Sequence, residues 1–280
     1  MQRVEEPDGT NHIMEPIFQP KFATAAKCAV RFLESCLLGR AKKISPGVSN
    51  KKAVPEKKGI LARDKYEVGD FMSTDQFVVK TAGRIPSGFG RERHNNRFHV
   101  GTIYNDDASG LIWVENKVSL GANKTIVGKA RFEQWLWEQA VAEVSYYHID
   151  NGILLKDAYH KDCEGKGKTQ SFSGVGDHHQ NSRSERTIQT IMYMARAFMI
   201  HSSLHWIENG VDDITLWYFA VKHSVWVFNR VPNQESGISP MEILTKTKFD
   251  HCDLRRSRVW GCPVFVLEAK LQNDQIFFQV

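Results

Sequence analysis

Cysteine is scarce in this chain. There are five, Cys28, Cys36, Cys163, Cys252 and Cys262, an odd number at wide spacings. That excludes a disulfide-stapled secreted framework and suits a reducing compartment, nuclear or cytoplasmic. No run of 18 apolar residues occurs, so no transmembrane helix and no membrane partner are expected. The N-terminal MQRVEEPDGTNHIMEP lacks the basic-then-apolar order of a secretory signal. No internal repeat is present. Neither sign of charge dominates: 37 Lys and Arg stand against 32 Asp and Glu, a net charge of +5 over 280 residues. A mild basic excess permits a polyanionic partner without requiring one.

What is present is ordinary globular composition, 41% hydrophobic and 25% charged, in a length that allows one or two domains. Residues 1–65 read as irregular. Residues 1–24 hold Pro7, Pro16 and Pro20 and no period; residues 25–43 can form one short helix; residues 40–65 are rich in Lys and Arg with Pro46, Gly47, Pro55 and Gly59, the composition of a basic tether. From about residue 66 the texture changes. FMSTDQFVV (71–79), FHVGTIYND (98–106) and LIWVENKVSL (111–120) read as strands, with Asp107 to Gly110 as the turn between the second and third. Residues 123–142 repeat apolar residues at helical spacing. VSYYHID (144–150) is a fourth strand, residues 154–167 a weak helix ended by Gly, and TQSFS (169–173) a fifth strand. Helices are expected at about 183–204 and 213–230. Three strands followed by alternating helices and strands predict an α/β core over 66–230, a mixed sheet flanked by helices, with 231–280 as a C-terminal extension.

Three acidic residues have distinctive settings. Asp75 lies inside an otherwise apolar strand. Asp150 ends a strand and precedes Asn151-Gly152, a tight-turn pair that presents a carboxylate at a sheet end. Glu185 falls in the first turn of a long helix, where the helix dipole favours negative charge. Each alone is common: a hydrogen-bonded strand Asp, a turn Asp and a first-turn Glu need no chemistry. Convergent carboxylates on stiff elements are, however, what two-metal phosphoryl transfer requires, and 34 residues separate Asp150 from Glu185.

The flanking residues resemble the integrase core of copia-type LTR retrotransposons. The resemblance is carried by STDQF around Asp75, GTIYNDDASG, HIDNG around Asp150, FSGVGDHHQN, ERTIQTIMYMAR from Glu185, SSLHW (202–206), RVPNQESGISPMEIL (230–244) and VWGCPVFVLEAKLQ (259–272), in order over roughly residues 26–280. It implies an RNase H-like mixed five-stranded sheet. It also implies Asp75, Asp150 and Glu185 as catalytic ligands of two Mg²⁺ or Mn²⁺ ions, and 3′-end processing and strand transfer of DNA by a homo-oligomer. Asn151, Gln180, Asn181 and Arg183 would then face DNA. The competing readings are a catalytically inactive, nucleic-acid-binding remnant and a plain RNase H-like nuclease.

Two departures bear on this. Ser182-Arg183-Ser184 stand where the family has Gly-Val-Ala. Ser182 or Ser184 can cap the helix, and Arg183 can bind phosphate or compete with metal. The family's His-His-Cys-Cys zinc module is degenerate: Leu33 occupies the place of a paired Cys, and His12 is the only His before Cys28. With three ligands at best of the four a structural zinc needs, zinc is not expected. His178 and His179 read as a polar loop, and Cys163, Cys252 and Cys262 as plain thiols. Trp135, Trp137, Trp206, Trp217 and Trp226 read as core or a dimer face.

Overall fold

The computed structural model describes residues 4–5, 11–12, 66–86, 97–149, 157–173, 182–206, 213–234 and 236–263. The expected helix at 25–43, the basic tether, Cys28 and Cys36 lie outside them. Two short strands, β1 (Val4–Glu5) and β2 (Asn11–His12), pair antiparallel. The main sheet is built from β3 (Met72–Gly83), β4 (Phe98–Asp106), β5 (Ile112–Lys117), β6 (Tyr146–Ile149) and β7 (Thr169–Phe172). Their spatial order is β5-β4-β3-β6-β7. The first three form an antiparallel meander, and β6 and β7 are added parallel to β3. A parallel neighbour needs a crossover, and helices supply it: α1 (Ala122–Ala140) leads into β6 and α2 (Asp157–Gly165) into β7. Then follow α3 (Ser182–His205), a 3₁₀ turn (Ile214–Leu216), α4 (Trp217–Arg230), α5 (Pro240–Thr245) and α6 (Cys252–Arg256). This mixed five-stranded sheet flanked by helices is the RNase H-like arrangement expected from the sequence.

Each face of the sheet has its own core. On one, Met72, Tyr104 and Tyr147 pack with Phe132 and Leu136 of α1, Tyr159 and Cys163 of α2, and Met241 and Leu244 of α5. On the other, Ile103, Ile112 and Val114 pack with Ile191 and Ala195 of α3 and Trp217, Ala220 and Val221 of α4. Each fully buried large side chain contributes roughly 1.5–3 kcal/mol by removal from water. The segment after α4 thus begins inside the core: α5 touches both α1 and α4. Trp217 is buried, and its indole N–H donates to the Thr81 carbonyl at 3.0 Å. Trp135 packs at a tilt against Trp113, whereas Trp137 is half exposed.

An exposed sheet edge invites pairing with other chains. Here β5 is covered by side chains of α4. Asn229 accepts the Ile112 N–H at 2.9 Å and donates to the Ile112 carbonyl at 2.7 Å, and Lys222 Nζ donates to the Val114 carbonyl at 3.0 Å. Under α1, Lys129 is wholly buried and fully engaged, with Asp162 at 2.7 Å, Cys163 Sγ at 3.0 Å and Glu133 at 3.7 Å. Burial alone would lower its pKa. The hydrogen bonds to Asp162 and Cys163 and the Glu133 charge outweigh it and raise the ammonium above its ordinary value.

Candidate active site

Strand alternation decides which way Asp75 points. Gln76 turns to the α1 face, its amide nitrogen 3.4 Å from Thr102 Oγ1 and 3.5 Å from Thr125 Oγ1 of α1. Phe77 and Val79 pack in the core under α3 and α4. Asp75, on the same side as Phe77, belongs to the α3 face. It is half-buried, and its Oδ1 accepts the Gln76 N–H at 2.7 Å.

The parallel pairing of β3 with β6 fixes the next relation. Thr74 is level with Ile149, the last described residue of β6. Asp75 therefore stands one residue beyond the described end of that strand. Asp150, which follows Ile149 in sequence, lies outside the described residues, as do Asn151, Gln180 and Asn181.

Glu185 lies in the first turn of α3, as expected, and is half-buried. One turn on, Ile188, Ile191 and Met192 seat this helix against the sheet, and α3 packs on β3 and β4. Ser184, just before Glu185, is fully buried, and its hydroxyl has no hydrogen-bond partner among the described residues. The expectation that Ser184 caps the helix is thus corrected: it already lies inside the helix, on the stripe that faces the sheet.

Arg183 ties the start of α3 to the strand that carries Asp75. It forms an ion pair with the Asp107 carboxylate and donates to the Asp107 carbonyl at 3.1 Å. With the Asn105 amide turned, its oxygen accepts Arg183 Nε–H at 3.1 Å. Asp107 in turn accepts the Ser73 hydroxyl at 3.4 Å and donates its N–H to the Phe71 carbonyl at 3.0 Å. Ser73 is on the same side of β3 as Asp75. Burial lifts the Asp107 carboxyl above its ordinary range, although Arg183 and the Ser73 hydroxyl pull the other way. From the sequence Asp107 reads only as a turn residue, and neither Asn105 nor Ser73 stands out. Adjacent acids at the β4 end were the available signal, since Asp106 alone suffices for the turn: its carboxylate accepts the Ser109 N–H at 2.8 Å and the Gly69 N–H at 3.0 Å.

Among the described residues no group of three or more His, Cys, Asp or Glu is placed to hold a metal ion. The expected triad has its middle member outside them. The two members inside are both carboxylates on stiff elements, the donor chemistry that Mg²⁺ and Mn²⁺ prefer.

No protein-family model matches the chain, and no curated protein matches it. Among solved structures it is similar to the HTLV-2 integrase catalytic core domain in complex with magnesium, at 16% identity and a TM-score of 0.44, over 63% of this chain and 97% of that one. It is similar to the catalytic core domain of BIV integrase at 13% identity and a TM-score of 0.45, over 64% of this chain and 95% of that one. A third similarity is to the simian T-cell lymphotropic virus intasome in complex with the PP2A regulatory subunit B56 gamma, at 12% identity and a TM-score of 0.48, over 64% of this chain and 55% of that one. The fold assignment rests on this chain's own strand order and register.

Proposed function

We propose that this chain is the catalytic core of a copia-type retrotransposon integrase, a metal-dependent polynucleotidyl transferase that acts on DNA as a homo-oligomer. The observation that carries the proposal is the β3–β6 register. Thr74 pairs with Ile149, so the strand bearing Asp75 reaches the point where Asp150 follows in sequence. Support comes also from Glu185 in the first turn of a helix packed on β3.

Asp75, Asp150 and Glu185 would hold two Mg²⁺ or Mn²⁺ ions; when bound, such ions supply activation of the attacking hydroxyl and stabilisation of the leaving oxygen. The protein's own part is to fix the donors. The β3 ladder holds the Asp75 backbone, Ile188 and Ile191 seat the helix of Glu185, and the Arg183–Asp107–Ser73 chain joins the two elements. Such positioning of donors and substrate is the main contribution a protein makes to this kind of transfer. Arg183 is oriented by Asp107, so its role on this reading is to position the first turn of α3.

The test uses labelled linear DNA with a recessed 3′ end, Mg²⁺ or Mn²⁺, and the full chain beside Asp75→Asn. Joined products that need the metal and vanish in the variant are expected. Nicking without joining would instead mark a nuclease, and metal-independent binding alone an inactive DNA-binding remnant.

A further inference from the structure

Charge is unevenly spread over this protein. Residues 246–258 hold five cations, Lys246, Lys248, Arg255, Arg256 and Arg258, against two acids, Asp250 and Asp253. That is a local excess of three positive charges. Elsewhere many cations are neutralised: Lys129 by Asp162, Arg131 by Glu115, Arg183 by Asp107 and Lys168 by Glu133. Lys246, Lys248, Arg256 and Arg258 are exposed and have no ion-pair partner among the described residues.

A run of exposed cations is usually a solvated face. This one differs in being mounted rigidly. Met241 and Leu244 anchor α5 in the core. Ser239 and Glu242 form a reciprocal cap, with Glu242 accepting the Ser239 N–H at 2.8 Å and its hydroxyl at 2.7 Å. The other Glu242 oxygen accepts the Phe249 N–H at 3.0 Å and faces His251 Nε2 at 3.6 Å. The segment is thus folded back on one buried carboxylate, and Lys246 and His251 turn it with left-handed φ angles of 53° and 55°. Arg255 is spent internally, on the Asp250 carbonyl at 2.8 Å. Of the two acids, Asp250 is occupied by the Cys252 N–H at 2.9 Å. What remains outward is a ridge bearing two lysines and two arginines against one remaining exposed acid, Asp253.

We propose that the 246–258 ridge docks the phosphate backbone of double-stranded DNA, as a contact surface separate from the carboxylate site. The inference rests on the DNA-transferase reading above. Its chemistry is specific enough to choose a partner. Four unpaired cations set against one remaining exposed acid, Asp253, suit a uniform polyanion. Arginine forks match phosphate oxygens. A ridge already held in place avoids the ordering cost that a flexible basic tail meets on binding.

The test is equilibrium binding of the full chain to a short linear DNA duplex over a series of salt concentrations. Three proteins are compared: wild type, R256Q/R258Q and K124Q/K161Q. Lys124 and Lys161 are exposed on α1 and α2, so the second pair removes the same charge elsewhere. Each phosphate contact adds about 0.9 to the steepness of log K against log salt. The ridge variant should therefore lose about 2 from the slope, with the control pair unchanged and R256K/R258K restoring it. Equal losses in both glutamine pairs, or an unchanged slope in the ridge pair while wild type binds, overturn the ridge and leave the transferase reading intact. No DNA binding by wild type at low salt overturns both. Thermal melting of each variant checks folding; if R256Q/R258Q is unfolded, K246Q/K248Q takes its place with the same expected slope.

Discussion

Gly101 of β4 sits directly opposite Phe77 of β3, and the Phe77 ring lies over it. A Cβ built at Gly101 falls within 2.5 Å of Phe77 Cε1 and 2.7 Å of Cε2, and nearer still to Cζ. Phe77 is thus an aromatic covering a bare strand glycine, a known way to fill the gap such a glycine leaves. Gly101→Ala changes two terms of opposite sign. Restricting the unfolded chain stabilises by about 0.4–1 kcal/mol. Forcing the ring off its seat costs about 1–3 kcal/mol. Contacts this close leave the ring no small adjustment, so the second term wins and net destabilisation of about 1–2 kcal/mol is expected. In thermal melting that is a fall of about 2–4 °C per kcal/mol for a chain this size. The decisive assay is a double-mutant cycle in urea with Phe77→Leu. Leucine vacates part of the space the new methyl needs, so the double variant should be more stable than the sum of the singles by about 1 kcal/mol. Additivity within about 0.3–0.5 kcal/mol, or a Gly101→Ala protein as stable as wild type, would refute the packing argument. Because Phe77 is on the same side of β3 as Asp75, the cycle also measures how firmly that strand is seated.

Two further perturbations follow from the buried polar groups. Lys129→Met removes a wholly buried ammonium from Asp162 and Glu133 and should cost about 3 kcal/mol, the lower end for breaking a buried pair because Lys166 and Lys168 still face those acids; denaturant midpoints check it. The same pair predicts a pH profile. Burial alone would raise the Asp162 carboxyl, but the hydrogen bond and charge of Lys129 and of Lys166 hold it below its ordinary value. Its contribution is present above the unfolded carboxylate pKa of about 4 and is lost as pH falls through the lowered folded one. The raised Lys129 contributes below the unfolded lysine pKa of about 10 and loses that contribution as pH rises through the folded one. Stability measured from acid to alkaline pH should fall at both ends in wild type and be flatter in Lys129→Met. Asn229→Ala strips both hydrogen bonds from Ile112 on the β5 edge and should cost about 1–3 kcal/mol. Hydrogen exchange at Ile112 should accelerate, and sedimentation should reveal self-association if that edge then pairs between copies.

Much of this fold is legible in the sequence because the periodicities are clean. The apolar alternation of 71–79 and 98–106 and the helical spacing of 123–142 correspond to β3, β4 and α1 within a few residues. What local sequence could not reveal are features set by distant partners. β3 runs on through Lys80-Thr81-Ala82-Gly83, past its apolar stretch. Support there comes from outside the strand: the Trp217 indole bonds to Thr81, and the Arg84 N–H to the Thr215 carbonyl at 2.8 Å. Arg183 reads as a stray cation beside Glu185, yet it reaches back 76 residues to Asp107. Lys129 was readable in principle. It falls four residues after Thr125 and three before Phe132, on the buried stripe of α1, and a lysine there has to find acids. At the candidate site, Asp75 and Glu185 each had an innocent explanation, and spacing alone could not show that their elements pack together.

The chain between those elements bears most on function. Glu185 is held by a helix, and a helix can slide or tilt on a sheet unless something fixes its end. Hydrophobic contacts from Ile188 onward fix its face but are tolerant of small shifts along its axis. The Arg183–Asp107–Ser73 link is directional, because an arginine fork on a carboxylate restrains angle as well as distance. It also starts on the helix two residues before Glu185 and ends on the strand two residues before Asp75. The polar Ser182-Arg183-Ser184 segment is therefore part of the packed start of α3. Its arginine supplies a directional tie between the two described carboxylate-bearing elements near their site ends. A residue that reads from sequence as a stray cation is, in the folded protein, part of the link between the elements that carry Asp75 and Glu185.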